Sequence, residues 1–257
     1  MPIITLTSDW GLKDHYIGAV KGAILSRMPD ATIVDITHLI PSFDSEQAAF
    51  VLRNAYPNFP KGTVHILAIN TEETMKSPHT VVQYNGHYFI GTDNGVFSLV
   101  LDGAPDKVFE ISVPQDTDFF TFSTRDRFIK VAVHLAKGGN IEDVGNVRDK
   151  ITEKILLKPV LDTDVIKGHV MYIDSYENLI TNITEMLFRE RRKGRKFRIK
   201  FRSYEIKKIS KSYQDVPAGE ILALFDSNGH LEIAMNQGNA AGLLGLACKD
   251  MIRVEFS

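Results

Sequence analysis

The chain has 257 residues, 44% of them hydrophobic, enough for one large domain or two modest ones with a buried core. Lys and Arg number 30 against 32 Asp and Glu, a formal net charge of -2 that gives a polyanion no global attraction, so nucleic acid is not an expected partner. Cys248 is the only cysteine, which excludes an internal disulfide and any multi-cysteine metal site.

The N-terminal "MPIITLTSDW" has no basic, apolar leader, and no run approaches the roughly 18 apolar residues that span a bilayer, so a cytoplasmic protein without a membrane segment is expected. "IITLTS" (3–8) predicts a short buried strand, and Ile17, Val20, Ile24 and Met28, at spacings of three and four, predict a helix after it. "TIVDIT" (32–37) is a second strand; Asp44 and Gln47 follow, placed as a capping box before the helical "EQAAFVLRNAY". "TVHILAI" (63–69) is a third strand, and this alternation predicts a parallel sheet with helices on it. The runs on either side of Asn85-Gly86 read as a hairpin, which makes the sheet mixed. A helix from about Arg125 to Lys137 would bury Phe128, Ala132 and Leu135, stop at Gly138-Gly139 and complete the first domain.

After residue 149 the pattern changes. "DKITEKILLKPVLDTD" has no helical stripe and carries a proline, and the later segments "IKGHVMYID", "LITNI", "RKFRIKF", "EILALF", "HLEIAM" and "IRVEF" all read as strands. The expectation is an α/β N-terminal domain (1–150) with a mixed, mainly parallel sheet, a linker (151–164) and a C-terminal all-β, barrel-like domain (165–257).

Several polar segments stand where such a fold would present them to a ligand. Asp9 falls at the carboxyl end of the first strand, where open α/β sheets bind ligands, and could accept two ribose hydroxyls or simply cap the next helix. No glycine-rich phosphate fingerprint accompanies it. Asp93 and Asn94 in "TDNGVF" suit a ligand or a turn with a helix cap. Ser123 and Thr124 precede a helix, where hydroxyls satisfy free N–H groups or share them with a ligand. Asp174, Tyr176 and Asn178 form a turn between strands; Asn228-Gly229 is a second hairpin turn, and Met235 and Gln237 lie where the chain leaves the sheet. In the basic block 189–208, Phe197, Ile199 and Phe201 alternate with Arg198, Lys200 and Arg202, which reads as a solvated charged strand. An RNA-binding face would need interleaved exposed aromatics. No H-E-x-x-H, C-x-x-C or G-x-S-x-G occurs and the eight histidines are scattered, so no metal site is expected.

Five ordered segments resemble one family, the S-adenosylmethionine hydroxide adenosyltransferases, relatives of fluorinase and chlorinase. "TSDWGLKDHYIGAVKGAI" resembles its T-D-F-G-x-x-D-x-Y-V-G-x-M-K-G, "GTDNGVFS" its P-D-N-G-L-L, and "TFSTRDRF" its T-F-H-G-R-D. "IDSYENLITNI" resembles D-x-F-G-N-L-x-T-N-I, and "DSNGHLEIAMNQGNAA" the N-S-x-G-x-L-E-I-A-x-N-x-G-x-A near the family's end. The resemblance implies S-adenosylmethionine as substrate or ligand, no further cofactor, and a homotrimer with sites between one subunit's first domain and its neighbour's second. It implies that Asp9 holds the ribose hydroxyls and that Phe43 lies beside the sugar and sulfonium. Asp174 and Ser227 would meet the methionine end, and Tyr213, Asn178, Met235 and Gln237 would surround adenine. Asn228 departs from the arginine that fluorinase has beside its serine.

The chain departs from the hydrolytic pattern at the water site. Where the family reads V-D-P-G-V-G-T-x-R, "INTEETMKS" puts Asn70 at the aspartate position and Ser77 at the arginine position, and Ser123 replaces the histidine of T-F-H-G-R-D. Asn70, Ser77, Ser123 and Thr124 are therefore the candidate nucleophile-orienting residues, although neither amide nor hydroxyl is an effective base near neutral pH. Lys76 and His79 would replace the lost cation and imidazole only on a different loop path, and Glu72 and Glu73 remain possible bases. Three readings follow from the resemblance: adenosyl transfer to water, an adenosyl-binding protein without chemistry, and a halogenase.

Overall fold

Strands form where apolar residues run unbroken, and helices where they recur every three or four. In the computed structural model, which describes residues 2–257, the chain divides into one unit that ends at Leu156 and another spanning Leu157–Ser257. The first contains β1 (Ile3–Ser8), α1 (Tyr16–Arg27), β2 (Thr32–Thr37), α2 (Ser45–Ala55), β3 (Val64–Ala68), β4 (His79–Tyr84), β5 (His87–Thr92), α3 (Val96–Val100), β6 (Lys107–Ile111), α4 (Ile129–Ala136) and β7 (Gly145–Val147). Its sheet runs β2-β1-β3-β5-β4-β6-β7. The neighbours from β2 to β5 pair parallel, whereas β4, β6 and β7 add antiparallel pairs. The mixed, mainly parallel sheet expected from the sequence is present.

Both faces are covered. On one, Val20 and Ile24 from α1, Met28 just after it, and Val131, Ala132 and Leu135 from α4 share a core with Ile4, Leu6 and Ile66. On the other, Leu52 and Phe97 meet Leu67 and Phe89. Each fully buried Val, Leu, Ile, Met or Phe among them contributes about 1.5–3 kcal/mol. Asp44 caps α2 by accepting the N–H groups of Glu46 and Gln47, each at 3.0 Å. Only half of the capping box forms, because the Gln47 amide donates to the Asp44 carboxylate at 3.1 Å. The β4–β5 turn has φ of 51° at Asn85 and 79° at Gly86, a pair of values that this dipeptide adopts with little strain. The helix expected from Arg125 opens instead with a wide π turn, Thr124–Phe128, before α4 begins.

The second unit contains β8 (Val160–Leu161), β9 (Val165–Ile173), β10 (Leu179–Thr184), α5 (Glu185–Arg192), β11 (Phe197–Phe201), β12 (Tyr204–Ile206), β13 (Ile221–Phe225), β14 (His230–Met235), α6 (Ala240–Leu244) and β15 (Met251–Phe256). Its strands form an antiparallel, nearly closed barrel-shaped sheet in the order β12-β11-β15-β9-β10-β14-β13, with β8 on β9. Ile166, Val170, Leu231, Ile233 and Val254 fill its interior.

Two short helices correct the reading of this half as strands alone. In α5, "EMLFRERR" fully buries only Phe188, too thin an apolar stripe to signal a helix. Thr184 nonetheless caps it by accepting the Leu187 N–H at 3.2 Å. The basic block therefore straddles a helix end and the β11–β12 hairpin. Its hairpin charges are paired: Lys200 with Glu255 at 2.8 Å, Arg202 with Asp250 at 3.5 Å and Arg198 with Glu205 at 3.6 Å. Residues 151–156 belong to the first unit, and Val160–Leu161 already pairs with β9. Among the described residues, no helix is long and apolar enough to cross a membrane, and no group of three or more His, Cys, Asp or Glu is placed to hold a metal ion.

Candidate functional site

Asp9 leaves β1 at its carboxyl end, and its Oδ2 accepts the N–H of Phe43 at 2.8 Å. It does not cap α1, which begins after His15 without a side-chain cap. A carboxylate has about four lone-pair positions, so this bond leaves capacity for a ligand's hydroxyls. Phe43 has a φ of 65° and the residue is 72% exposed. A bulky residue in this left-handed region is strained, by about 1–3 kcal/mol, and such strain clusters where a side chain has to be presented. Beneath these loops Ser8 Oγ lies 2.6 Å from His38 Nδ1. Trp10 stacks on His38 and meets Phe122 edge-on, which fixes the wall next to Asp9.

The polar loop after β3 folds back on itself. Asn70 is exposed with a φ of 48°, and Thr74 and Ser77 exchange two backbone hydrogen bonds of 3.1 Å, so Met75 and Lys76 form an exposed tip. His79 is fully buried. Its Nε2 lies 2.9 Å from the Thr71 carbonyl, which only accepts, so Nε2 carries the proton and Nδ1 accepts from Arg127 Nη1 at 2.9 Å. Burial lowers the pKa of His79 and keeps it neutral. Glu73 accepts the His79 N–H at 3.2 Å on one oxygen and Arg127 Nη1 at 2.6 Å on the other. Burial pushes its pKa up, but that N–H and the guanidinium outweigh it and hold the carboxyl below its ordinary value.

Glu73 lines a cleft of about 450 Å³ with Thr71, Glu72, Gln115, Thr121 and Ser123. Ser123 makes no side-chain cap to the π turn, and the buried Thr124 Oγ1 has no hydrogen-bond partner, so neither hydroxyl acts as the helix cap that its position suggested. Asp93 lies elsewhere in the hydrogen-bond network. It is fully buried and accepts the N–H and hydroxyl of Thr152 at 3.0 and 3.1 Å, with Arg148 at 3.5 Å. Asn94 accepts the Val96 N–H at 3.3 Å. Both hold the turn into α3.

In the second unit, Tyr176, Asn178, Tyr213, Met235 and Gln237 line one cleft of about 630 Å³, together with Gly238. The Asp174 carboxylate shapes its rim, accepting the N–H groups of Tyr176 and Asn178 at 2.9 and 2.8 Å and the Asn178 amide at 3.2 Å. Tyr213 donates its hydroxyl to Glu232 at 2.9 Å. Glu232 is buried, and this desolvation, reinforced by Asp174 and Asp226, pushes its pKa up to about 7. Ser227 and Asn228 do not line the cleft. They are exposed in the β13–β14 turn, where Asp226 accepts the N–H groups of Asn228 and His230 at 2.8 Å, at the opposite end of β14 from Met235. Sequence reading missed Arg127, Gln115, Gly238 and Glu232; only Glu232 had a signal, inside "HLEIAM".

Residues 4–145 match the family described as SAM hydroxide adenosyltransferase N-terminal domain, and residues 168–253 match its C-terminal domain. A (R)-S-adenosyl-L-methionine hydrolase of Thermus thermophilus is 30% identical, over 93% of this chain and 94% of that protein. A fluorinase of Nocardia brasiliensis is 29% identical, over 93% of this chain and 92% of its own length. Among solved structures, an uncharacterized conserved protein from Thermotoga maritima superimposes with a TM-score of 0.89 at 33% identity, covering 98% of this chain and 99% of that one.

Proposed function

The chain belongs to the SAM hydroxide adenosyltransferase family, and from that premise we propose that it binds S-adenosylmethionine and transfers the adenosyl group to water, releasing adenosine and L-methionine. The observation that carries this reading is the second unit's cleft, where five residues singled out from three separate stretches of the chain line one cavity. In it Tyr213 and Asn178, with the chain at Met235 and Gln237, take the adenine, beside Tyr176. Asp174, with Ser227 and Asn228, serves the methionine end. Asp9 takes the ribose hydroxyls and Phe43 the sugar and sulfonium, and a homotrimer completes each site between neighbouring subunits. Asp93 and Asn94 support this surface through the turn they hold.

The chemistry suits such a site. Water attacks the ribose C5′ while methionine leaves from a positively charged sulfur, so in-line alignment and exclusion of bulk water supply much of the acceleration. Asn70, Ser77, Ser123 and Thr124 orient the nucleophile by hydrogen bonding. A second reading, an S-adenosylmethionine or adenosine binder without chemistry, draws on the same residues, since none of those four is a base. The test is incubation of the purified protein with S-adenosylmethionine, with and without chloride, followed by chromatography. Adenosine and methionine support the hydrolase, a 5′-chlorinated nucleoside supports a halogenase, and binding without product supports the binder.

A further inference from the structure

We propose that Glu73 is the catalytic residue that holds and polarises the attacking water, with Arg127 as its positioning residue; this rests on the hydrolase reading above. Glu73 is the acidic member of the first unit's cleft that is clamped at both oxygens, by the His79 N–H at 3.2 Å and Arg127 Nη1 at 2.6 Å. A carboxylate with two acceptor positions per oxygen keeps one free on each after those bonds. Fixed carboxylates of this kind act without reorganising when charge develops next to them.

The clamp is itself fixed. Arg127 is 13% exposed at its side chain and stands on the π turn, a distortion found often at functional sites. Its Nη1 also donates to His79 Nδ1, and the other ring nitrogen of His79 is anchored on the Thr71 carbonyl. Loop and helix are thus locked together at Glu73. An ion pair that only fastened the loop would need no cleft in front of it. Here the cleft also presents Ser123, and the Gln115 Oε1 is buried with no hydrogen-bond partner. A buried acceptor without a donor is costly, so its presence beside Glu73 favours a donor such as water as guest.

In the step assigned here, the water oxygen forms a bond to C5′ as the C5′–sulfur bond breaks. The bonding pair returns to sulfur and leaves neutral methionine. The attacking oxygen becomes positive, which the Glu73 carboxylate stabilises, and one water proton passes to Glu73 and on to solvent.

The experiment compares wild type, Glu73→Gln, Glu73→Asp and Arg127→Met for adenosine release across pH and for S-adenosylmethionine binding by calorimetry. Glu73→Gln removes the charge and keeps the shape; it should lower kcat by about 10²–10⁴-fold and leave affinity within about twofold. Glu73→Asp should recover part of the rate. Arg127→Met should move the acidic limb of the kcat profile to higher pH, because Glu73 then faces only the neutral His79 and its neighbour Glu72. Wild-type kcat in Glu73→Gln, or an unmoved limb in Arg127→Met, overturns the assignment alone. A wild type that binds S-adenosylmethionine and releases no adenosine overturns the hydrolase reading and the assignment with it.

Discussion

The Asp9 carboxylate joins two loops: it ends β1, and its bond to the Phe43 N–H at 2.8 Å holds an exposed ring on a strained backbone. Hydrogen bonds to a charged group are worth about 1.5–3 kcal/mol each. Asp9→Ala should therefore weaken S-adenosylmethionine and adenosine binding by at least about tenfold in calorimetry, and an unchanged affinity would contradict its ribose role. At this scale the residue pattern marked what lies close in the chain or at a strand end, Asp9 and the Asp174–Asn178 turn, whereas Tyr213 entered only through the family resemblance. The Glu73 clamp was not legible, because Arg127 is remote in sequence and only the pairing of loop with π turn makes them neighbours. Candidates read as helix caps, Asp9 and Ser123, were misjudged on that alternative because backbone direction at a helix start is not written in residue type.

At the scale of elements, β14 carries the second unit's cleft at one end and a buried carboxylate along it. Glu232 packs on the same face as Ala234 and accepts from Tyr213, and burial with Asp174 and Asp226 nearby raises its pKa to about 7 from an ordinary 4.5. The folded state thus binds this proton more tightly than the unfolded chain. Its stabilising contribution is full below about pH 4.5 and is lost as pH rises through about 7, at no more than about 1.4 kcal/mol per pH unit. Urea unfolding at pH 5 and pH 8 should show wild type losing stability across this window more than Glu232→Gln; equal losses would show that Glu232 does not titrate there. Turn chemistry made the β4–β5 hairpin legible, and unbroken apolar runs made the strands so. The π turn escaped because it interrupts the 3.6-residue period, and α5 because its surface is charged almost all round.

For the whole molecule, Lys200 and Arg202 of the basic hairpin are paired with carboxylates, and the match to both family domains directs attention to a small sulfonium ligand. Light scattering on the purified chain should give three times the 28.8 kDa subunit mass; a monomer that still binds S-adenosylmethionine at full affinity would contradict the trimeric site. The central claim is adenosyl transfer to water, and its most direct measurement is chromatography of the purified protein incubated with S-adenosylmethionine. Adenosine and methionine should accumulate in equal amounts above the uncatalysed rate, with or without chloride. Tight binding with no adenosine above that rate would contradict the account.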